Sequence, residues 1–469
     1  MTLLRFRVAN HRSIRDEQTL SFVATPRRGQ GRPKAAEIPP TVRVVGVYGA
    51  NASGKSNVLS ALAYMLRCID ESQTRWSPDG GIPRHPFRIE DADTARPSFY
   101  ELDFVHRGTR YSYGFEIDDE RVLGEWLFSF PEGRPRRLFE RFGPDEYKFG
   151  RSLKGETVRI AKLTRANSLY LSSAANNDHP LLGGLHHWLT RYIRLARQTD
   201  SDQRIRTRYT QHLLRNAEVA DSIRQLLQAA DLGISDVRLS RRPLPEDALR
   251  LLSSAGREPL SERRVRELET VLQFVHTGMN GVRTFDFREE SAGTQVWFSL
   301  VGPLLDTLLR RSVLLVDEVD SSLHPHLSST IIRMFKDETV NPHRSQLIFA
   351  SHDTTLLGSL LDDGLLDRDE VWFTEKDETG ATTLYSLAEF TPRRDENIER
   401  GYLQGRYGAV PYLSFDRIRS IFQQLRAESD EASAQPSEPA AHDGDPQAEG
   451  QAAGRLRGHG HREAVSRRP

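Results

Sequence analysis

Val42-Arg43-Val44-Val45-Gly46-Val47-Tyr48-Gly49-Ala50-Asn51-Ala52-Ser53-Gly54-Lys55-Ser56 runs from a β-branched strand through a glycine-rich loop to a lysine and a hydroxyl. The spacing is that of a phosphate-binding loop. Gly49 and Gly54 let main-chain N–H groups turn toward an anion, and Asn51, Ser53 and Asn57 complete the nucleotide-binding set. Lys55 is placed to reach the β- and γ-phosphates of ATP, and Ser56 to offer its hydroxyl to Mg²⁺. Beyond the loop, Val58, Leu59, Leu62, Met65, Leu66 and Ile69 return at helical spacing. Strand, loop and helix are the context that gives the motif its chemistry.

Two further blocks extend the reading. Val313-Leu314-Leu315-Val316 is an apolar strand ending in Asp317-Glu318. At the carboxyl edge of a parallel sheet, Asp317 is expected to hold Mg²⁺, directly or through water, and Glu318 to polarise the attacking water. About 260 residues separate this strand from the loop, so something large is inserted between them. About twenty residues before it, Ser291-Ala292-Gly293-Thr294-Gln295 opens a helix carrying Phe298, Leu304, Leu305 and Leu308. A serine hydroxyl and a glycine N–H at a helix N-terminus form an anion site.

In this order the blocks resemble the ABC-type ATPases, the class that includes the SMC and RecF proteins and the OLD nucleases. The resemblance implies an α/β fold: an ABC-type P-loop ATPase head with an antiparallel β meander and an inserted helical subdomain. It also implies that Ser291 and Gly293 of one subunit cap the γ-phosphate held by the loop of another, so that ATP sites are shared in a homodimer or higher homo-oligomer. His352, in Leu347-Ile348-Phe349-Ala350-Ser351-His352-Asp353, matches the switch histidine of the class, and Asp320-Ser321-Ser322-Leu323-His324-Pro325 the loop that carries signals across the dimer. Asn10-His11-Arg12-Ser13 is similar to the opening segment whose arginine touches phosphate, a role transferred to Arg12. The class also carries a glutamine on the loop leading into the insertion. No residue here takes that place cleanly, and Gln73 stands in a poor context.

Outside these blocks, Leu3–Val8 and Gln18–Val23 alternate as an opening strand pair, and residues 26–40 read as a mobile loop. From Pro97 to Arg141 short alternating strands predict an antiparallel meander. Residues 183–280 are expected to be mostly helical, with faces such as Val219, Ile223, Leu226 and Leu227, then Val265, Leu268, Leu272 and Val275. A hairpin is predicted through Val371-Trp372-Phe373 and Thr383-Leu384-Tyr385, with Gly380 at its turn. The boundaries are therefore 1–182 for the N-terminal ATPase lobe, 183–280 for the helical insertion, 281–426 for the C-terminal lobe and 427–469 for a disordered tail poor in large apolar residues.

Composition narrows the setting. Lysine plus arginine equals aspartate plus glutamate at 65 each, so long-range charge does not favour nucleic acid and only a local patch can. Arg191, Arg194, Arg197, Arg204, Arg206 and Arg208, interleaved with Trp188, Tyr192 and Tyr209, form such a patch, unless they simply solvate a helix face. The single cysteine, Cys68, reads as a buried apolar residue. No apolar run approaches the roughly 20 residues that span a bilayer. Polar residues follow Met1–Phe6, and a cytoplasmic, membrane-free protein is expected.

A closer resemblance is carried by Val47–Asn57, Tyr111-Ser112-Tyr113-Gly114-Phe115 and Leu138-Phe139-Glu140-Arg141, then Val371–Asp377, Asp395–Tyr402 and Gly405–Ala409. These stretches are similar to bacterial AAA-type ATPases of abortive-infection and anti-phage operons, among them the PARIS ATPases, often encoded beside an RloB-like or TOPRIM-type nuclease. The resemblance implies a sensor whose nucleotide state restrains or releases a toxic effector. Only about 75 ordered residues are expected after His352, too few for a TOPRIM domain of its own, and Asp443-Gly444-Asp445 lies in the tail. The competing reading is a DNA-repair or chromosome-maintenance ATPase that clamps DNA.

Overall fold

A computed structural model describes residues 2–25, 38–255, 261–279, 281–359, 361, 364–390, 396–411 and 414–434. The expected loop at 26–40 therefore lies outside the described residues except for Ile38–Pro40. Contacts divide the chain into a large unit, Met1–Pro411, and a second, Tyr412–Pro469.

The large unit opens with β1 (Thr2–Ala9), β2 (Gln18–Ser21) and β3 (Val44–Gly49), and β3 feeds helix α1 (Lys55–Glu71). After the short α2 (Asp91–Thr94) come β4 (Ser98–His106), β5 (Thr109–Ile117), β6 (Val122–Phe130), β7 (Arg136–Phe142) and β8 (Glu146–Phe149). Helices α3 (Thr157–Leu163), α4 (Tyr170–Asn176) and α5 (Pro180–Arg191) lead to strand β9 (Ile193–Ala196). The insertion continues through α6 (Asp200–Leu213), α7 (Ala217–Ala229), β10 (Ile234–Arg241), α8 (Glu246–Ala255), α9 (Glu262–Glu269), β11 (Thr270–Gly278) and β12 (Gly281–Asp286). Last come α10 (Ala292–Arg310), β13 (Val313–Val316), α11 (Pro325–Lys336), β14 (Gln346–Ala350), β15 (Val371–Lys376), β16 (Thr382–Ser386) and α12 (Ile398–Leu403).

Among the described residues these strands build three sheets. The catalytic sheet runs β16-β15-β3-β14-β13-β9, parallel except for β16, which returns antiparallel along β15 as the predicted hairpin. Its central strands β3 and β13, and β14 after Gln346, read as apolar runs because both faces are covered. Val45, Val47, Leu315 and Ile348 join a core with α1, whereas Val44, Leu314, Val316, Leu347 and Phe349 face the core containing α10 and α11. All five parallel strands consequently end on one edge, and loops leaving that edge converge.

The meander is the second sheet, β2-β1-β4-β5-β6-β7-β8, antiparallel throughout. The opening strands join it by pairing β1 with β4. A buried polar knot fixes α4 to this sheet. Glu125 accepts from Tyr113 Oη at 3.0 Å and from the main-chain N–H groups of Tyr170 and Leu171 at 2.5 and 2.9 Å. Arg141, 1% exposed, donates to the carbonyls of Gly143, Ser168 and Arg165 and lies 3.9 Å from Glu125. Burial pushes the Glu125 carboxyl up, and Arg141 opposes it.

The insertion is mostly helical, as expected, but it also carries β10 and β11 of a three-stranded antiparallel sheet, β10-β11-β12, and β9 belongs to the catalytic sheet. Helix α9 stops at Glu269, so Val265 and Leu268 lie on a helix while Leu272 and Val275 lie on β11. The two-residue alternation that buries Leu272 and Phe274 overrides the helical spacing, because β10 and β12 flank the segment as pairing partners.

In the second unit, helix α13 (Phe415–Ala434) runs past position 427, where the tail was expected to begin. Phe415, Ile418, Phe422 and Leu425 recur at helical spacing, and the Ala- and Glu-rich stretch that follows them favours helix. The C-terminal lobe expected to reach 426 accordingly ends at Pro411 by contacts, and the tail from 435 lies outside the described residues.

Candidate functional site

The site is built where β3, β13, β14 and β9 deliver their loops. Gly49 has φ +151° and Gly54 φ +114°. A Cβ at Gly49 would strike the Thr374 carbonyl, and one at Gly54 the Thr382 side chain, so only glycine lets the loop lie this close to β15 and β16. Hydroxyl contacts hold the loop in place: Ser53 Oγ to Thr374 Oγ1 at 2.6 Å, and Thr382 Oγ1 donating to the Ser53 carbonyl at 2.8 Å. Asn57 Nδ2 donates to Ser13 Oγ at 2.6 Å, and Ser13 Oγ contacts Thr382 Oγ1 at 2.7 Å. The side chains of Ser53 and Asn57 therefore brace the loop instead of lining its mouth. Asn51 is exposed at the loop crest.

Lys55 is buried, and its Nζ donates to the carbonyls of Gly49 and Ala50 at 2.8 and 2.9 Å. Among the described residues it has no carboxylate partner within ion-pair distance. Burial lowers its ammonium from 10.5 to about 8, against the opposing pull of Asp320, Asp317 and Glu318. A desolvated cation among carbonyls is a cradle for an anion.

Ser56 Oγ donates to Asp317 Oδ1 at 2.9 Å, joining the two proposed metal-holding groups across the sheet. Burial pushes the Asp317 carboxyl up, while Ser56, then Arg197, Lys55 and His352, pull it back. A half-buried carboxylate beside an exposed hydroxyl suits a magnesium ion that keeps several waters and takes further ligands from phosphate. Glu318 has φ +55°, a conformation costly for a residue that carries a Cβ and found where function fixes the geometry. Its carbonyl accepts from Ser321 N at 3.0 Å. His352 is exposed just past β14, and its main-chain N–H faces both Asp320 carboxylate oxygens at 3.4 Å.

Arg12 is exposed, has φ +52°, and donates its main-chain N–H to His85 O at 2.7 Å. Its neighbour Ser13 is bonded to Asn57, in the first turn of the helix that follows the loop. Ser291 caps α10, its Oγ accepting from Thr294 N at 3.1 Å, and is exposed. Gly293 packs against the loop after β13, where a Cβ would lie 2.7 Å from Ser322 O. Within one chain, no described hydrogen bond or ion pair joins Ser291 or Gly293 to Gly49–Ser56.

Gln73 is not at the site. It follows α1, a helix about 25 Å long at 1.5 Å per residue, and accepts from Ser173 Oγ at 3.0 Å. The glutamine at the site edge is Gln198, just past β9, whose Nε2 lies 3.5 Å from the Glu318 carbonyl. Sequence reading missed it because the four-residue β9 was taken as part of a helical stretch. Its only local signal is the alternation in Ile193-Arg194-Leu195-Ala196.

The arginine patch is likewise not one helical face. Arg191 ends α5, Arg194 lies on β9 and Arg197 follows it. Arg194 pairs with Asp306 at 3.0 Å and stacks over Tyr209, Arg206 is buried against Asp202, and Trp188 is buried in the core. Arg191, Arg197, Arg204 and Arg208 remain exposed.

The profile of the family described as "AAA domain, putative AbiEii toxin, Type IV TA system" matches residues 44–358, two thirds of the chain and every site element from β3 to His352. The chain belongs to this family. It is an AAA-type ATPase with the expected α/β fold, and the family implies nucleotide binding, typically with Mg²⁺. No curated protein matches it in sequence. Among solved structures it is similar to an Smc head bound to the C-terminal winged-helix domain of ScpA, at 13% identity and TM-score 0.38, covering 82% of this chain and 97% of that one. It is also similar to a Pyrococcus furiosus Smc head with an extended coiled coil, bound to the C-terminal domain of ScpA, at 12% identity and TM-score 0.36, covering 91% and 100%. Both are too distant to carry a functional reading. Among the described residues, no helix is long and apolar enough to cross a membrane.

Proposed function

We propose that the chain binds and hydrolyses ATP as the sensor or regulator of a partner effector, a nuclease or toxin, in anti-phage defence. The observation that carries the ATPase part is the convergence of Lys55, Ser56, Asp317 and Glu318 on one sheet edge. Main-chain N–H groups of the loop and Lys55 bind the phosphates. Ser56 and Asp317 hold Mg²⁺, which when bound neutralises phosphate charge. Glu318 accepts the proton as the water oxygen attacks the γ-phosphorus and the bond to the β-phosphate oxygen breaks, giving ADP and phosphate. Gln198, bonded to the Glu318 carbonyl, links this centre to the insertion.

The exposure of Ser291, with no described hydrogen bond or ion pair to the chain's own phosphate loop, supports a site completed by a second copy. The family description, which names a putative toxin and a Type IV toxin–antitoxin system, supports a place in such a system, and the regulator role rests on the resemblance to operon-encoded defence ATPases. An operon-encoded RloB-like or TOPRIM-type nuclease is the proposed effector, and the cytoplasm the proposed location. The test is to purify the chain from its native operon and assay ATPase with and without DNA. Co-purification of a nuclease or toxin whose activity follows nucleotide state is expected. Several-fold stimulation by DNA alone, with no partner retained, would instead favour a DNA-clamping repair ATPase.

A further inference from the structure

We propose that Arg197 is a third cation of the phosphate site, reaching the terminal phosphate of bound ATP from the sheet edge beside Asp317. The proposal rests on the ATPase reading and adds a residue that the sequence blocks did not assign to the phosphate site.

Three observations carry it. First, β9 runs parallel to β13 with Ala196 opposite Val316, and Asp317 N donates to Ala196 O at 2.9 Å. The register therefore sets Arg197 beside Asp317, as it sets Gln198 beside Glu318. Since Asp317 meets Ser56 at 2.9 Å, Arg197 stands at the metal-holding corner.

Second, the main chain of Arg197 is clamped on both sides. Its N–H donates to Asp202 Oδ2 at 2.7 Å, and its carbonyl accepts from Arg206 Nη1 at 2.5 Å. Arg206 and Asp202 are themselves an ion pair. Arg206 also approaches Ser299 Oγ at 3.4 Å, and Gly302 packs against Thr210, so the clamp is seated on α10, the helix that Ser291 caps. A buried arginine and an aspartate are spent on fixing one exposed residue.

Third, the guanidinium of Arg197 is uncommitted. Among the described residues it makes no side-chain hydrogen bond or ion pair, whereas Arg194 and Arg206 on either side are paired. A planar fork held at a phosphate edge with its donors free is suited to bidentate contact with phosphate oxygens. A cation at that position also offsets charge that develops during phosphoryl transfer.

The test compares Arg197→Ala and Arg197→Lys, each alone and in a Glu318→Gln background where binding can be read without turnover. The clamp grips only the main chain, so either variant keeps it. Arg197→Ala is expected to lower kcat about 100-fold or more, within reach of what a phosphate-directed arginine contributes. In the Glu318→Gln background it should reduce the preference for ATP over ADP about tenfold, and Arg197→Lys should restore part of it. A merely structural loss would weaken ATP and ADP alike. Unchanged ATP-over-ADP preference in Arg197→Ala, with Lys55→Ala unable to bind nucleotide, overturns the proposal and leaves the ATPase reading intact. ATP binding by Lys55→Ala equal to wild type would instead overturn the ATPase reading, and the role of Arg197 with it.

Discussion

Raising the pH is expected to weaken ATP binding through a single buried group. Lys55 binds phosphate as the ammonium, and in the empty protein burial lowers that ammonium from 10.5 to about 8. Bound phosphate restores favourable charge, so the group returns to its ordinary range or above in the complex. Below about pH 8 the empty protein already holds the proton. Above it a proton must be taken up on binding, and affinity falls as pH rises. Between pH 7.5 and 9.5 the dissociation constant should rise about 20-fold, equivalent to about 2 kcal/mol. Asp317, Glu318 and Asp320 face the same ammonium, so a control is needed. Lys55→Arg, which stays charged throughout, should bind more weakly overall but without this slope. Calorimetric titration of ATP into the Glu318→Gln protein at fixed Mg²⁺ reads the effect. A flat profile to pH 9.5, or an equal slope in Lys55→Arg, would refute the reasoning. The same burial costs the empty fold about 2 kcal/mol at neutral pH after allowance for screening at the loop mouth, a cost relieved as pH rises from about 8 to 10.5.

Other expectations follow from the same geometry. Glu318→Gln should stop turnover while retaining ATP, accumulating an ATP-bound assembly by size-exclusion chromatography; unchanged turnover would remove Glu318 as general base. Mixing Ser291→Arg subunits with Lys55→Ala subunits should partly restore ATPase activity, because one site of the mixed pair keeps both an intact loop and an intact serine. No recovery at any ratio argues against shared sites. Arg141→Met should destabilise the large unit by about 3–5 kcal/mol, since Glu125 is left buried without its cation, and the loss is read as a lowered denaturation midpoint.

Much of the site was legible because its parts are local. Gly49, Gly54, Lys55 and Ser56 lie within eight consecutive positions, and their chemistry follows from order alone. Asp317 and Glu318 were legible because a strand buried on both faces reads as an apolar run with an abrupt polar end. Gln198 and Arg197 were not, since β9 has four residues, too few for periodicity to separate strand from helix. Its partner β13 lies about 120 residues further along, and only that pairing gives β9 its identity. Leu272 and Val275 fit a helical spacing until β10 and β12 are seen to flank them.

The sequence by itself determined that this chain carries a phosphate-loop motif, that its acid pair lies far from that loop, and that a helix opened by a serine stands between them. Those are properties of short segments, set by backbone freedom, hydroxyl and ammonium chemistry, and burial pattern. Only the tertiary structure decided which arginines are tied up in ion pairs and that Arg197 is clamped by its main chain beside Asp317. That arrangement depends on the register of two strands distant in the chain and on a clamp seated on α10, neither of which a linear pattern encodes.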